Sequence, residues 1–81
     1  MKTIKYSESA FKKASNTNRK KIADWVYTQR TKSGLTQQAL ATMCGLDRKT
    51  VNRIENEAFS PNIDTMTRLA VVLDSKIPSL I

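Results

Sequence analysis

The stretch DRKTVNRIEN, residues 47–56, spaces Arg48, Lys49, Asn52, Arg53 and Asn56 so that a helix would gather them on one face. At about 100° per residue, with Arg48 at zero, Asn52, Asn56, Lys49 and Arg53 fall at about 40°, 80°, 100° and 140°. Val51 and Ile54 fall opposite, at about 300° and 240°, where they would anchor the helix to a core. Arg and Lys suit the O6 and N7 acceptors of guanine, and Asn suits the N6 donor and N7 acceptor of adenine. All three types also hold phosphates. A solvated surface helix can have this same composition, so the face gains meaning only from what precedes it.

What precedes it is a second short helical run and a glycine corner. Thr36 and Asp47 are good N-cap residues, each heading a run with apolar residues at helical spacing. In the first run Leu40 and Met43 lie on one side, and Ala41 is small enough to let another helix close against it. Gly45 stops that run and Leu46 plugs the corner. Two helices joined by a short Gly-containing turn form a helix-turn-helix. In that context the face from Arg48 to Arg53 is expected to read base edges of duplex DNA. Thr50 suits a phosphate or a thymine methyl, and equally a packing place on the helix flank.

Other chemistry has little to work with. Cys44 is the single cysteine and the chain has no histidine. That excludes an internal disulfide and a zinc site of the usual kind, so Cys44 is expected to fill space at the corner. With no catalytic dyad, Gly-rich phosphate cradle or carboxylate cluster, neither an enzyme nor a cofactor is expected.

The residues Arg30, Gly34-Leu35-Thr36-Gln37, Leu40-Ala41, Gly45-Leu46, Val51, Ile54-Glu55-Asn56, Pro61, Leu69-Ala70 and Leu73 together resemble the Cro/cI-type (XRE-like) helix-turn-helix regulators of phages and bacteria. The resemblance runs from about Ile22 to Leu80. It implies an all-α, five-helix, lambda-repressor-like DNA-binding domain, the fifth helix being a shortened one from Ile77. It implies that Arg30 pairs with Glu55, which lies at about 340° on the wheel, at the margin of the buried face. It further implies that Gln37 meets a phosphate, by its side chain or by the N–H groups of the helix start. Gln38 is expected to brace that contact, and Asn56 to meet a phosphate as well. Such regulators dimerise and place two reading helices about 34 Å apart on a near-palindromic operator. One departure stands out: Glu57 occupies a place where the family usually has Gly. An easy left-handed cap is then lost, and the reading helix is expected to run on or end differently.

At 81 residues the chain has room for one domain with a small core. Its net charge of +7 is unevenly spread. Residues 1–33 hold nine Lys or Arg against Glu8 and Asp24, whereas residues 34–81 hold five of each sign. The sequence thus divides into a basic extension, 1–18, and a helix-turn-helix domain, 19–81. In the extension, Thr3–Tyr6 suits a short strand and Ser7–Ala14 a short helix anchored by Phe11. Lys12 and Lys13 are phosphate candidates, against the plainer role of a basic tail that aids solubility. Asn16-Thr17-Asn18 would cap a helix from Arg19 to Lys32 with Ile22 and Val26 inward and Trp25 packed beside them. A further helix, capped by Asn62 and running to about Leu73, would bury Ile63, Met66, Ala70 and Leu73. The apolar end, Ile77–Ile81, is a candidate dimer face. With neither a membrane span nor a secretory signal, a cytoplasmic protein is expected. Two other roles fit the same residues: a DNA-binding antitoxin, whose basic extension would hold a toxin, and an interaction module that has lost DNA reading.

Overall fold

The computed structural model describes residues 7–81 and, among them, four helices and no strand. These are α1 (Glu8–Lys32), α2 (Gln37–Cys44), α3 (Arg48–Glu55) and α4 (Ile63–Leu73). Three of the starts are capped by side chains. Ser7 Oγ accepts from the Ala10 N–H at 3.2 Å, Thr36 Oγ1 from Ala39 at 3.0 Å, and Asn62 Oδ1 from Thr65 at 2.8 Å. Each such acceptor satisfies one N–H that the helix itself leaves open. Asp47 holds the N-cap place of α3 but makes no side-chain cap bond, so its carboxylate favours the helix start only through the dipole.

All four helices end alike. Gly34, Gly45, Glu57 and Asp74 take positive φ. The following N–H then returns to the carbonyl five residues back: Leu35 to Arg30, Leu46 to Ala41, Ala58 to Arg53, and Ser75 to Ala70, at 2.8–3.1 Å. This closure satisfies carbonyls at the helix end while turning the chain sharply. The expectation for Glu57 is therefore corrected. At φ 62 it adopts the left-handed conformation itself, and α3 stops where a Gly would have stopped it.

The core draws on every helix: Ile22, Trp25 and Val26 from α1, Leu40, Ala41 and Cys44 from α2, Val51 and Ile54 from α3, and Met66, Leu69 and Leu73 from α4. Leu35 and Leu46 from the connections, and Ile77 from the segment after α4, pack against it. Trp25 is buried, and its indole N–H donates to Ser75 Oγ at 3.0 Å, which satisfies the one polar atom of the ring.

Three expectations are corrected here. The short helix and the capped helix expected on either side of Asn16-Thr17-Asn18 are one continuous α1, which passes through residue 18 without a break. Residues 16–18 are poor helix formers but acceptable ones on an exposed face, and Thr17 bonds back to the Lys13 carbonyl at 3.0 Å. Met43 and Ile63 point outward, 58% and 67% exposed, because α4 closes on Leu40, Ala41 and Cys44 and is itself buried through Met66, Leu69 and Leu73. The fifth helix is absent. Residues 75–81 run without regular secondary structure beside α1, where Lys21 donates to the Ser79 carbonyl and the Ile81 N–H donates to Asn18 Oδ1 at 2.9 Å. Pro78 supplies no backbone donor for a further turn there. The strand expected at Thr3–Tyr6 lies outside the described residues.

Candidate nucleic-acid interface

The two-helix unit is built as the sequence implied. α2 and α3 meet at Gly45, whose φ of +69 suits a residue without a side chain. A Cβ there would also lie 2.9 Å from Nη1 of Arg68. That nitrogen is in place because it donates to the Cys44 carbonyl at 3.0 Å and so ties the end of α2 to α4. Sequence reasoning missed Arg68, since its role depends on a neighbour 24 residues away. Cys44 sits buried beneath this corner, and burial pushes its thiol pKa up, with Arg68 acting weakly in the other direction.

On α3, Arg48, Lys49 and Arg53 stand exposed, while Val51 and Ile54 are buried on the opposite side. Asn52 and Thr50 lie half-buried at the edges of that face. Asn56 is the residue that closes the helix, and its Nδ2 donates to the Asn52 carbonyl at 2.8 Å. The exposed surface of a helix only eight residues long thus carries three cations in two turns.

The one acidic residue of α3 is neutralised from behind. Arg30 of α1 grips Glu55 with two bonds, Nε to Oε2 at 2.6 Å and Nη2 to Oε1 at 2.9 Å, and gives Nη1 to the Leu35 carbonyl at 2.9 Å. The bond to Glu55 raises the Arg30 pKa above its already high ordinary value. The ring of Tyr27 lies 5.5 Å from the guanidinium carbon and covers it from the outer side. This forked, largely desolvated pair locks α1 to the end of α3.

Glu55 also accepts from α2. Gln37 Nε2 donates to Glu55 Oε1 at 3.0 Å, and Asn52 Nδ2 donates to Gln37 Oε1 at 3.3 Å. The Gln37 amide therefore braces α2 on α3, leaving the N–H groups at the start of α2 as the less committed phosphate donors. Gln38 Nε2 donates to Thr42 Oγ1 along the same helix at 3.1 Å.

Lys12 and Lys13 are far from α3 in sequence but not in the fold. With Ser9, Asn16, Thr17 and Lys20 they line one open groove on α1 that ends against Glu57, just past the end of α3. Arg19 spans the same region by donating to Ser60 Oγ at 3.3 Å and to Asn16 Oδ1. The basic extension thus adjoins the C-terminal end of α3. Among the described residues no His, Cys, Asp and Glu side chains gather as a metal site, and no helix is long and apolar enough to cross a membrane.

Comparison with known proteins supports the same assignment. The HTH_3 helix-turn-helix family model matches residues 26–80. The chain belongs to this family of XRE-like helix-turn-helix domains. An HTH_3 family transcriptional regulator from Vibrio cholerae superposes with a TM-score of 0.72 at 26% identity, over 76% of this chain and 35% of that one. The restriction-modification controller protein C.AhdI from Aeromonas hydrophila superposes with a TM-score of 0.70 at 30% identity, over 74% of this chain and 91% of its own. The chain thus spans about a third of the Vibrio regulator's length and nearly all of the controller's. No curated protein matches the chain.

Proposed function

We propose that this chain is a non-enzymatic, sequence-specific binder of duplex DNA, a repressor of the Cro/cI kind acting as a dimer on a near-palindromic operator in the cytoplasm. The observation that carries the reading is the outward face of α3. Arg48, Lys49 and Arg53 are exposed, while the only carboxylate of that helix is held by Arg30. Arg48, Lys49, Asn52 and Arg53 read bases. The start of α2 at Gln37 and Gln38, together with Thr50, Asn56, Lys12 and Lys13, meets phosphates. Leu80 and Ile81, 41% and 76% exposed, form the apolar contact between subunits.

Selection of bound duplexes from a random library at near-physiological salt tests this. An enriched inverted repeat with half-sites about one helical turn apart is the expected result. Binding without enrichment, vanishing as salt rises, would overturn base reading and leave only charge attraction.

A further inference from the structure

A row of hydrogen bonds runs from the core edge to the outer face of α3, and its direction is dictated by charge. At the inner end Glu55 is a carboxylate gripped by Arg30, and a carboxylate only accepts. Gln37, 3.0 Å from Glu55 Oε1, must therefore present its NH2 group inward. That leaves Gln37 Oε1 as an acceptor, so Asn52, at 3.3 Å, must in turn present its own NH2 group. Neither amide can turn over without setting two acceptors, or two donors, face to face.

The consequence lies in what remains outside. The Asn52 side chain has its Oδ1 and one N–H uncommitted to other described residues. One acceptor beside one donor complements the N6 amino group and N7 of adenine. It does not complement guanine, whose O6 and N7 both accept, nor a phosphate, which offers acceptors alone. Gln37 keeps a single N–H, which suits a phosphate oxygen.

We infer that Asn52 specifies adenine at one position of each half-site, and that Arg30, Glu55 and Gln37 act as positioning residues that hold its amide in the adenine-reading sense. This rests on the proposed function, because it presupposes that α3 enters the major groove. It goes further by naming a base and the reason for it.

The experiment compares the wild-type protein with Asn52→Ala and Gln37→Met by duplex selection, after thermal melts show that each variant folds. The wild-type protein should enrich a half-site with a fixed adenine. Asn52→Ala should erase preference at that position alone, by about five- to a hundredfold. Gln37→Met should weaken the same preference, because the amide is then free to turn over. Replacing that adenine by 7-deazaadenine, which lacks the N7 acceptor, should weaken wild-type binding but leave Asn52→Ala binding unchanged, the signature of a direct contact. An enriched operator whose preferences survive Asn52→Ala would overturn this inference and leave the proposed function standing. Failure of the wild-type protein to enrich any sequence would overturn both.

Discussion

Glu57 and Gly45 occupy equivalent places at the ends of α3 and α2, and they illustrate how the same backbone need is met at different cost. Gly45 has φ +69 and Glu57 has φ 62. A non-glycine residue in this region is disfavoured by about 1 kcal/mol, and here the side chain also brings a carboxylate into the groove of Lys12, Lys13 and Lys20. Glu57→Gly should therefore raise stability by about 1 kcal/mol, a thermal midpoint several degrees higher, despite the greater entropy of the unfolded chain. It should also tighten DNA binding by removing a charge that repels phosphate. Calorimetry and a binding titration at fixed salt check the two effects separately. The reverse change is expected to differ between glycines. Gly34→Ala meets open space and should cost only the conformational penalty, about 1 kcal/mol. Gly45→Ala must also displace Arg68 from the Cys44 carbonyl and should cost about 2 kcal/mol or more. Equal costs in denaturant melts would show that Arg68 yields freely.

At the scale of elements, α1 and α3 divide the labour. The half of α1 from Ile22 onward is anchored by Ile22, Ala23, Trp25 and Val26, whereas Glu8–Thr17 has no buried residue and presents Lys12 and Lys13. Being helical, this half holds its charges at fixed spacing rather than on a loose tail. Replacing both lysines by Ala should lower the slope of log affinity against log salt by as much as about 2, with base preference unchanged. An unaltered slope would remove this half of α1 from the DNA interface. The exposed residues of α3 should behave in the opposite way. Arg48→Ala or Arg53→Ala should cost about 1–3 kcal/mol on the selected operator and relax preference at one position. Equal losses on operator and random duplex would reassign that arginine to phosphate. Neither change should disturb folding, since both side chains point away from the core.

For the whole molecule, the arrangement puts an exposed basic face on α3 and leaves apolar residues exposed elsewhere. Leu80 and Ile81 stand exposed beside α1, held there by the bond from the Ile81 N–H to Asn18. Paired substitution of Leu80 and Ile81 by Ser should turn a dimer into a monomer in sedimentation and reduce operator affinity by much more than it reduces stability. Removing one of two linked half-site contacts forfeits the effective concentration that pairing supplies. A dimer that persists would place the contact on another surface.

The sequence by itself determined the helix-turn-helix. Thr36, Gly45, Asp47 and the spacing of Leu40, Ala41, Val51 and Ile54 mark two helices and their corner, because caps and helical periodicity act over a few residues. The outward cations of α3 follow from that same periodicity, and the Arg30–Glu55 pair followed from resemblance. Other features depended on contacts made across the fold. Met43 and Ile63 have core-like types and spacing, yet only the approach of α4 decides which side of α2 is covered. The continuity of α1 through Asn16-Thr17-Asn18 could not be seen from residues that serve equally as caps or as exposed helix positions. Glu57 takes the left-handed place at a penalty of about 1 kcal/mol, and the Ala58 N–H then closes α3 on the Arg53 carbonyl, a bond that residue types alone do not announce. The direction of the row from Glu55 through Gln37 to Asn52 joins two helices and is anchored by a third, so it exists only once all three are packed. Local order is set by neighbours in sequence; the sense in which an amide faces outward is set by a charge that only tertiary structure brings behind it.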